Sequence, residues 1–93
     1  MKLQRERVLE VLEPTLIAYR LSGYKITHCD TWRGYSFMID TGHISDIAIE
    51  IQVVNDKFAI RGYFDGYTLY KSSSKCYEGL PKRFVNAMKA MSL

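Results

Sequence analysis

The chain has 93 residues, 47% of them hydrophobic, and a net charge of only +3, which excludes an intrinsically disordered chain because disorder combines low hydrophobicity with high net charge. No apolar run reaches the ~18 residues of a membrane span, and the opening stretch MKLQRERVLEVLE is too charged for the apolar core of a signal peptide. Length and composition therefore predict a single folded domain over residues 1–93, in the cytoplasm and without contact to a membrane.

Residues 3–22 have the spacing of an amphipathic helix. Apolar side chains recur every three or four residues, at Val8, Leu9, Leu12, Leu16, Tyr19 and, less regularly, Leu21. Pro14 lacks an N–H and clashes with the preceding turn, so the helix is expected either to kink there or to divide into two short helices. Gly23 suits the end of the helix, because glycine readily adopts the left-handed conformation found there.

Residues 24–30 and 35–40 are predicted to form a β-hairpin around a four-residue loop, residues 31–34. The register sets opposite each other Ile26 and Ile39, His28 and Phe37, and Lys25 and Asp40. A pairing of Ile39 with Ile47 would leave a connection of ordinary length, so the next strand is expected to join the same sheet.

The strongest strand pattern lies in residues 44–70, where apolar and polar residues alternate on both sides of a tight-turn dipeptide, Asn55-Asp56. A two-residue loop there sets the pairs Ile47–Phe64, Ile49–Gly62, Ile51–Ile60 and Val53–Phe58 on one face and Glu50–Arg61 on the other. A slip of one residue would put the apolar row of one strand against the polar row of its neighbour, which specifies this register.

Asp65-Gly66 is a second tight-turn signal. Continued alternation after it predicts Tyr67 and Leu69 on the apolar face, and Thr68 and Tyr70 on the opposite face, with Tyr70 directly across from Arg61.

Residues 71–79 are polar and predicted to be a loop, and Leu80-Pro81 then opens a second helix, because proline fits the first turn. Its apolar stripe consists of Leu80, Phe84, Ala87, Met88 and Met91. The predicted fold class is α+β: an N-terminal helix, a five-stranded antiparallel meander and a C-terminal helix. Both helices are expected to cover the apolar face of the sheet, which leaves the other, open face uncovered.

Signatures of catalysis are missing from the sequence, which has no G-x-G-x-x-G, no G-x-S-x-G and no C-x-x-C. His28 and Asp30 share one side of their predicted strand while Cys29 points to the other, which disfavours a Cys-His nucleophile pair. A small enzyme or metal protein centred on His28 and Asp30 is one functional hypothesis, ranked below the two binding hypotheses that follow. No individual catalytic residue, metal ligand or cofactor is predicted. Cys29 and Cys76 are expected to be ordinary reduced thiols.

Surface recognition has more support. Because a meander alternates its ends, loop 31–34, turn 55–56 and the segment after residue 71 are expected at the same end of the sheet. They would bring together four residues, which we call the sheet-end surface: Trp32, Arg33, Lys57 and Lys75. Trp32 is the only tryptophan in the chain, and tryptophan and arginine are enriched in interface hot spots. Two roles for Trp32 stay open at this point, a surface anchor or a lid on the core.

The open face is the second candidate surface, with Arg61, Tyr63 and Tyr70 as its binding residues. Aromatic side chains interleaved with cations can stack bases and hold phosphates, and residues 57–93 carry seven Lys/Arg against two Asp/Glu. Nucleic-acid binding is therefore the alternative function. A flat, tyrosine-bearing sheet can equally bind another protein or a second copy of the chain, as a homodimer.

The leading hypothesis is a non-catalytic module that binds a protein partner through the sheet-end surface and the open face, and acts by occluding that partner. In size and in its lack of a catalytic signature, the chain resembles the small single-domain binders and inhibitors that phages and mobile elements encode.

Overall fold

A computed structural model describes residues 4–93, without the side chain of Arg5. In chain order the elements are α1 (Arg5–Leu21), β1 (Lys25–Thr31), β2 (Gly34–Asp40), β3 (Ile47–Val54), β4 (Lys57–Phe64), β5 (Tyr67–Ser74), a short 3-10 helix (Tyr77–Gly79) and α2 (Leu80–Ala90). The five strands form one antiparallel sheet in the order β1-β2-β3-β4-β5. The predicted α+β class and the order of helix, meander and helix are confirmed. No helix in the described part of the chain has the length and apolar character needed to cross a membrane.

Both helices pack on one face of the sheet. α2 lies on β4 and β5, α1 contacts β1, and the two helices contact each other. The core between the helices and the sheet contains the predicted stripe of α2 and, from the two central strands, Ile47, Ile49, Ile51, Phe58 and Ile60. The opposite face of the sheet carries mostly polar and small side chains together with Met38 and Tyr63, because successive residues of a strand alternate between the two faces.

The central hairpin has the predicted register. Ile51 pairs with Ile60 and Glu50 with Arg61. Asn55 and Asp56 have φ angles of 51° and 59°, the positive values of a type I′ hairpin turn, which Asn and Asp tolerate. The turn residues and the hydrophobic alternation therefore both favour the same strand pairing.

The first hairpin has the predicted register but a tighter turn. Thr31 pairs with Gly34, so the loop contains two residues rather than the four predicted, and that expectation is wrong. At Gly34, where β2 begins, the chain lies close against β3, because a Cβ at this position would collide with the backbone carbonyl oxygen of Ile51. The Val53 N–H donates to the Arg33 carbonyl at 3.2 Å, which ties the turn to β3.

β5 departs from the predicted alternation. Tyr63 pairs with Thr68, but Gly62 pairs with Tyr70, so Leu69 is an extra residue in the strand, a β-bulge. The bulge turns Tyr70 to the helix-covered face, where its side chain packs against the core. The prediction that Tyr70 lies on the open face is therefore wrong.

The same bulge changes two further positions. Leu69, expected in the core, is 49% exposed, and Lys71 rather than Tyr70 stands opposite Arg61. Without a bulge, Lys71 would face Ile60 on the buried side of the sheet, where an ammonium group is costly. The irregular strand thus keeps the charge in solvent.

The segment after the bulge remains a strand to Ser74, so a loop over residues 71–79 is only partly correct. Ser74 is the one buried polar residue recorded among the described residues. Its hydroxyl donates to the Cys76 carbonyl at 2.8 Å, which fixes the corner before the 3-10 helix.

α1 is a single helix of 17 residues that continues through Pro14. Division into two helices does not occur; Pro14 is exposed, and water can hydrate the carbonyl that its missing N–H leaves free. The helix ends as predicted, with Gly23 at a φ of 103°. The Tyr24 N–H then donates to the Tyr19 carbonyl, the bond that closes a glycine-terminated helix.

Candidate functional site

Trp32 and Arg33 form the tip of the β1–β2 hairpin. The Trp32 side chain is 81% exposed, so it does not act as a lid on the core. The guanidinium carbon of Arg33 lies 4.0 Å from the centre of the Trp32 ring, within the range of a cation–π contact. Of the two roles left open by the sequence, the exposure supports a surface anchor.

The backbone beneath Trp32 and Arg33 is constrained by a short loop and a hydrogen bond. A two-residue loop leaves few backbone conformations, and the hydrogen bond from Val53 to the Arg33 carbonyl joins the loop to the neighbouring strand. The tryptophan is therefore presented by the sheet itself and not by a long mobile loop.

The other members of the sheet-end surface lie at the same end. Lys57 begins β4 and Lys75 follows β5, and in an antiparallel sheet of this order both positions lie at the end that carries the β1–β2 turn. Both lysines are exposed. Within the described residues, the ion pair that the structure records is formed by Arg7 and Glu78 and does not involve them.

That ion pair fixes the start of α1 to the 3-10 helix. The Arg7 guanidinium donates to the Glu78 carboxylate at 2.8 Å. A backbone hydrogen bond at Glu78, followed by the bond from Arg7, holds the pKa of the Glu78 carboxyl below its usual value. Tyr77, in the same 3-10 helix as Glu78, packs against Phe58, with ring centres 4.8 Å apart. The end of the core next to the sheet-end surface is therefore well packed.

The open face presents side chains from every strand in regular cross-strand rows. One row consists of Cys29, Ser36, Glu50, Arg61 and Lys71. The next consists of Thr27, Met38, Ala48, Tyr63 and Thr68. The predicted residues Arg61 and Tyr63 thus lie together on this face, and Tyr70 does not.

Charges on the open face are poorly satisfied within one chain. Glu50 and Arg61 are directly opposite, yet they form none of the salt bridges recorded among the described residues. On its other side Arg61 stands against Lys71, and like charges directly opposite each other in a sheet are destabilising. Sequence reasoning missed Lys71; the signal that could have found it is the conflict between a lysine and the core in an unbulged strand.

His28 takes a packing position on the edge strand β1. Its ring lies edge-on to Tyr35, with centres 5.5 Å apart, and 5.8 Å from the centre of Phe37. In the described part of the chain, no three His, Cys, Asp or Glu side chains come together as a metal-binding group, around His28 and Asp30 or elsewhere. Cys29 and Cys76 are free and exposed. The His28 ring is exposed, and its recorded ring contacts are with these two aromatic side chains.

At the opposite end of the sheet lies a depression of about 550 Å³, lined in part by Tyr24, His43, Phe64 and Leu93. Among the described residues that line it, His43 is the only histidine, and no Asp, Glu, Lys or Arg side chain is present. Comparison of the chain with protein-family models, curated proteins and solved structures finds no match. The two surfaces that the sequence predicts for binding are the sheet-end surface and the open face.

Proposed function

We propose that the chain is a non-catalytic, cytoplasmic protein-binding module that acts by occluding a surface of its partner. The observation that carries the proposal is Trp32, an aromatic side chain 81% exposed at a hairpin tip, with Arg33 stacked on its ring. Single exposed apolar residues are common on protein surfaces. A tryptophan held in place by an arginine differs from them, since these two residue types dominate the energetic centres of interfaces.

Preorganisation strengthens the case. Binding normally costs about 0.5–1.5 kcal/mol for each flexible side chain that becomes ordered. The stack of Arg33 on Trp32 and the short, hydrogen-bonded turn beneath it reduce this cost before a partner arrives. The tip is therefore suited to insertion into an apolar pocket of another protein.

The flanking lysines define the rim of such a pocket. Lys57 and Lys75 are exposed at the same end of the sheet, and complementary charge around an interface raises the association rate and selects partners. We propose a partner whose apolar pocket is bordered by carboxylates. Inhibition of the phage or mobile-element type fits the small size of the module.

The nucleic-acid-binding hypothesis has less support from the structure than from the sequence. The open face keeps Tyr63, Arg61 and Lys71, but Tyr70 faces the helices. The stacking platform that single-stranded nucleic acid would use has thus lost one of its two aromatic rings.

The test is affinity capture from a lysate of the native host, with and without nuclease, by the wild-type chain and by Trp32→Ala. Ile44→Ala is the matched control, because Ile44 is fully exposed at the other end of the sheet. We expect a protein to be retained by the wild-type chain and by Ile44→Ala, with or without nuclease, and to be lost from Trp32→Ala. Both variants should keep the melting temperature of the wild type.

Equal retention by Trp32→Ala would contradict the proposal. Retention that disappears after nuclease treatment, falls steeply with salt and is lost in the Arg61→Glu, Lys75→Glu variant would identify a nucleic-acid-binding domain instead.

A further inference from the structure

The open face leaves a five-stranded sheet uncovered on one side. An apolar side chain is exposed there, Met38 at 38%. Ala48 and Ala59, in the middle strands, are small enough to allow another layer to approach closely. Arg61 meanwhile has a cation on one side and an unbridged carboxylate on the other. A partner surface complementary to this face would be partly apolar and would carry both positive and negative side chains.

We propose that the occupant is a second copy of this chain, packed face to face about a two-fold axis that runs parallel to the strands between β3 and β4. Rotation about such an axis exchanges left and right across the sheet but keeps each residue at its height along the strand. β3 of one copy then lies over β4 of the other, and β2 lies over β5. The proposal is independent of the partner-binding role of Trp32.

Charge complementarity follows directly from the register. Glu50 and Arg61 stand at the same height on β3 and β4, so the rotation places Glu50 of one copy over Arg61 of the other, and the reverse. Each carboxylate that lacks a salt bridge within its own chain gains a cation across the interface. The symmetric dimer therefore contains the pair twice.

Size complementarity follows from the next row. Ala48 and Tyr63 are also directly paired on β3 and β4, so each tyrosine of one copy lies over an alanine of the other. Met38 on β2 lies over Thr68 on β5, since both belong to this same cross-strand row. Large side chains thus meet small ones in the centre.

The alternative in-plane axis, perpendicular to the strands, is less favourable. It lays each strand over its own copy, and when it passes through the charged row it sets Glu50 over Glu50 and Arg61 over Arg61. Like charges placed opposite each other in an interface cost several kcal/mol.

The overlapping area is that of a weak dimer. With the axis between β3 and β4, strands β2 to β5 overlap and β1 lies outside the contact; at about 4.8 Å between strands and about seven residues of 3.3 Å each, the overlap covers about 440 Å² per copy. The dimer would bury about 890 Å² in total, the size of a weak, transient interface. Because the axis is parallel to the strands, the two Trp32 tips would project from the same end of the dimer, about 20 Å apart.

The test uses sedimentation equilibrium of the wild-type chain and of two charge reversals, Glu50→Arg and Arg61→Glu. Each variant alone places like charges against each other twice, and we expect its dimer dissociation constant to rise more than about tenfold. An equimolar mixture of the two variants should recover the dimer, because the arginine introduced at position 50 of one chain would then face the glutamate introduced at position 61 of the other. Effects confined to one chain cannot produce this recovery.

Glu13→Arg and Lys89→Glu, which reverse exposed charges on the helices, serve as controls and should leave the dimer unchanged. Circular dichroism shows whether each chain is folded, and Met38→Glu replaces any reversal that is not. A wild-type chain that stays monomeric at high concentration would overturn the proposal. A dimer that persists in both single variants, or a mixture that stays monomeric, would overturn it equally.

Discussion

Replacement of Gly34 by alanine tests how the Trp32–Arg33 tip is held. A Cβ at residue 34 would collide with the carbonyl oxygen of Ile51 and would lie 3.1 Å from the Cα of Gln52. These neighbours belong to the backbone of β3, so no side chain can rotate away, and β2 must separate from β3 at this end.

The expected cost is large for a single methyl group. Overpacking of a filled site costs about 1–3 kcal/mol, and loss of the hydrogen bond from Val53 to the Arg33 carbonyl adds about 1 kcal/mol. The sum, about 2–4 kcal/mol, is smaller than the roughly 5–14 kcal/mol expected for a 93-residue domain. Gly34→Ala should therefore fold, with a melting temperature lower by about 10–25 °C.

Urea unfolding followed by circular dichroism measures the change. Gly42→Ala is the control, because nothing lies within 4 Å of a Cβ at residue 42 and only its φ of 87° opposes the substitution, at about 1 kcal/mol. If Gly34→Ala unfolds at the same urea concentration as the wild type, or is no less stable than Gly42→Ala, the close approach of β2 to β3 is refuted.

Tyr70→Ala should lower the free energy of unfolding by about 1–2 kcal/mol, since the ring is partly buried against the core, whereas Tyr67→Ala, at a residue 75% exposed, should change it little. Equal effects in urea unfolding would contradict the bulged register of β5. Glu78 should stabilise the fold above its unfolded-state pKa and lose this effect as the pH falls through its lowered folded-state pKa. Glu78→Gln should therefore differ from the wild type at neutral pH and converge with it in acid, as followed by thermal unfolding; a constant difference would refute the role of the charge.

Most of the fold could be predicted because its determinants are local. The alternation from Ile47 to Phe64 and the turn at Asn55-Asp56 specify the same pairing independently. The stripe of α2 and the glycine after α1 follow equally from short-range spacing. In the central hairpin the two local signals agree, and the structure agrees with both.

The errors lie where local signals are silent. Ser72 and Ser74 continue β5 opposite the core residues Ile60 and Phe58. Because both are polar, they show no apolar alternation, and the sequence predicts that the strand ends earlier. A bulge adds one residue and reverses every following side chain, which places Tyr70 at the core instead of on the open face. Only the cost of burying Lys71 indicates that the strand is irregular.

The candidate surfaces were predictable to different degrees. The gathering of Trp32, Arg33, Lys57 and Lys75 at one end follows from the strand order alone. Whether Trp32 covers the core depends on the length of its turn, which is two residues and not the four predicted, and on the direction of its side chain, which no sequence pattern encodes. Tertiary geometry thus decides which of the two roles the tryptophan has.

The availability of Trp32 for a partner is tested most directly by quenching its fluorescence with acrylamide. Trp32 is the only tryptophan, so the signal reports the hairpin tip alone, and a neutral quencher is unaffected by the charge of Arg33. With an exposed fraction of 81%, the native chain should be quenched almost as strongly as the chain unfolded in urea. A native tryptophan strongly protected from acrylamide would contradict an exposed tip and the binding role proposed for it.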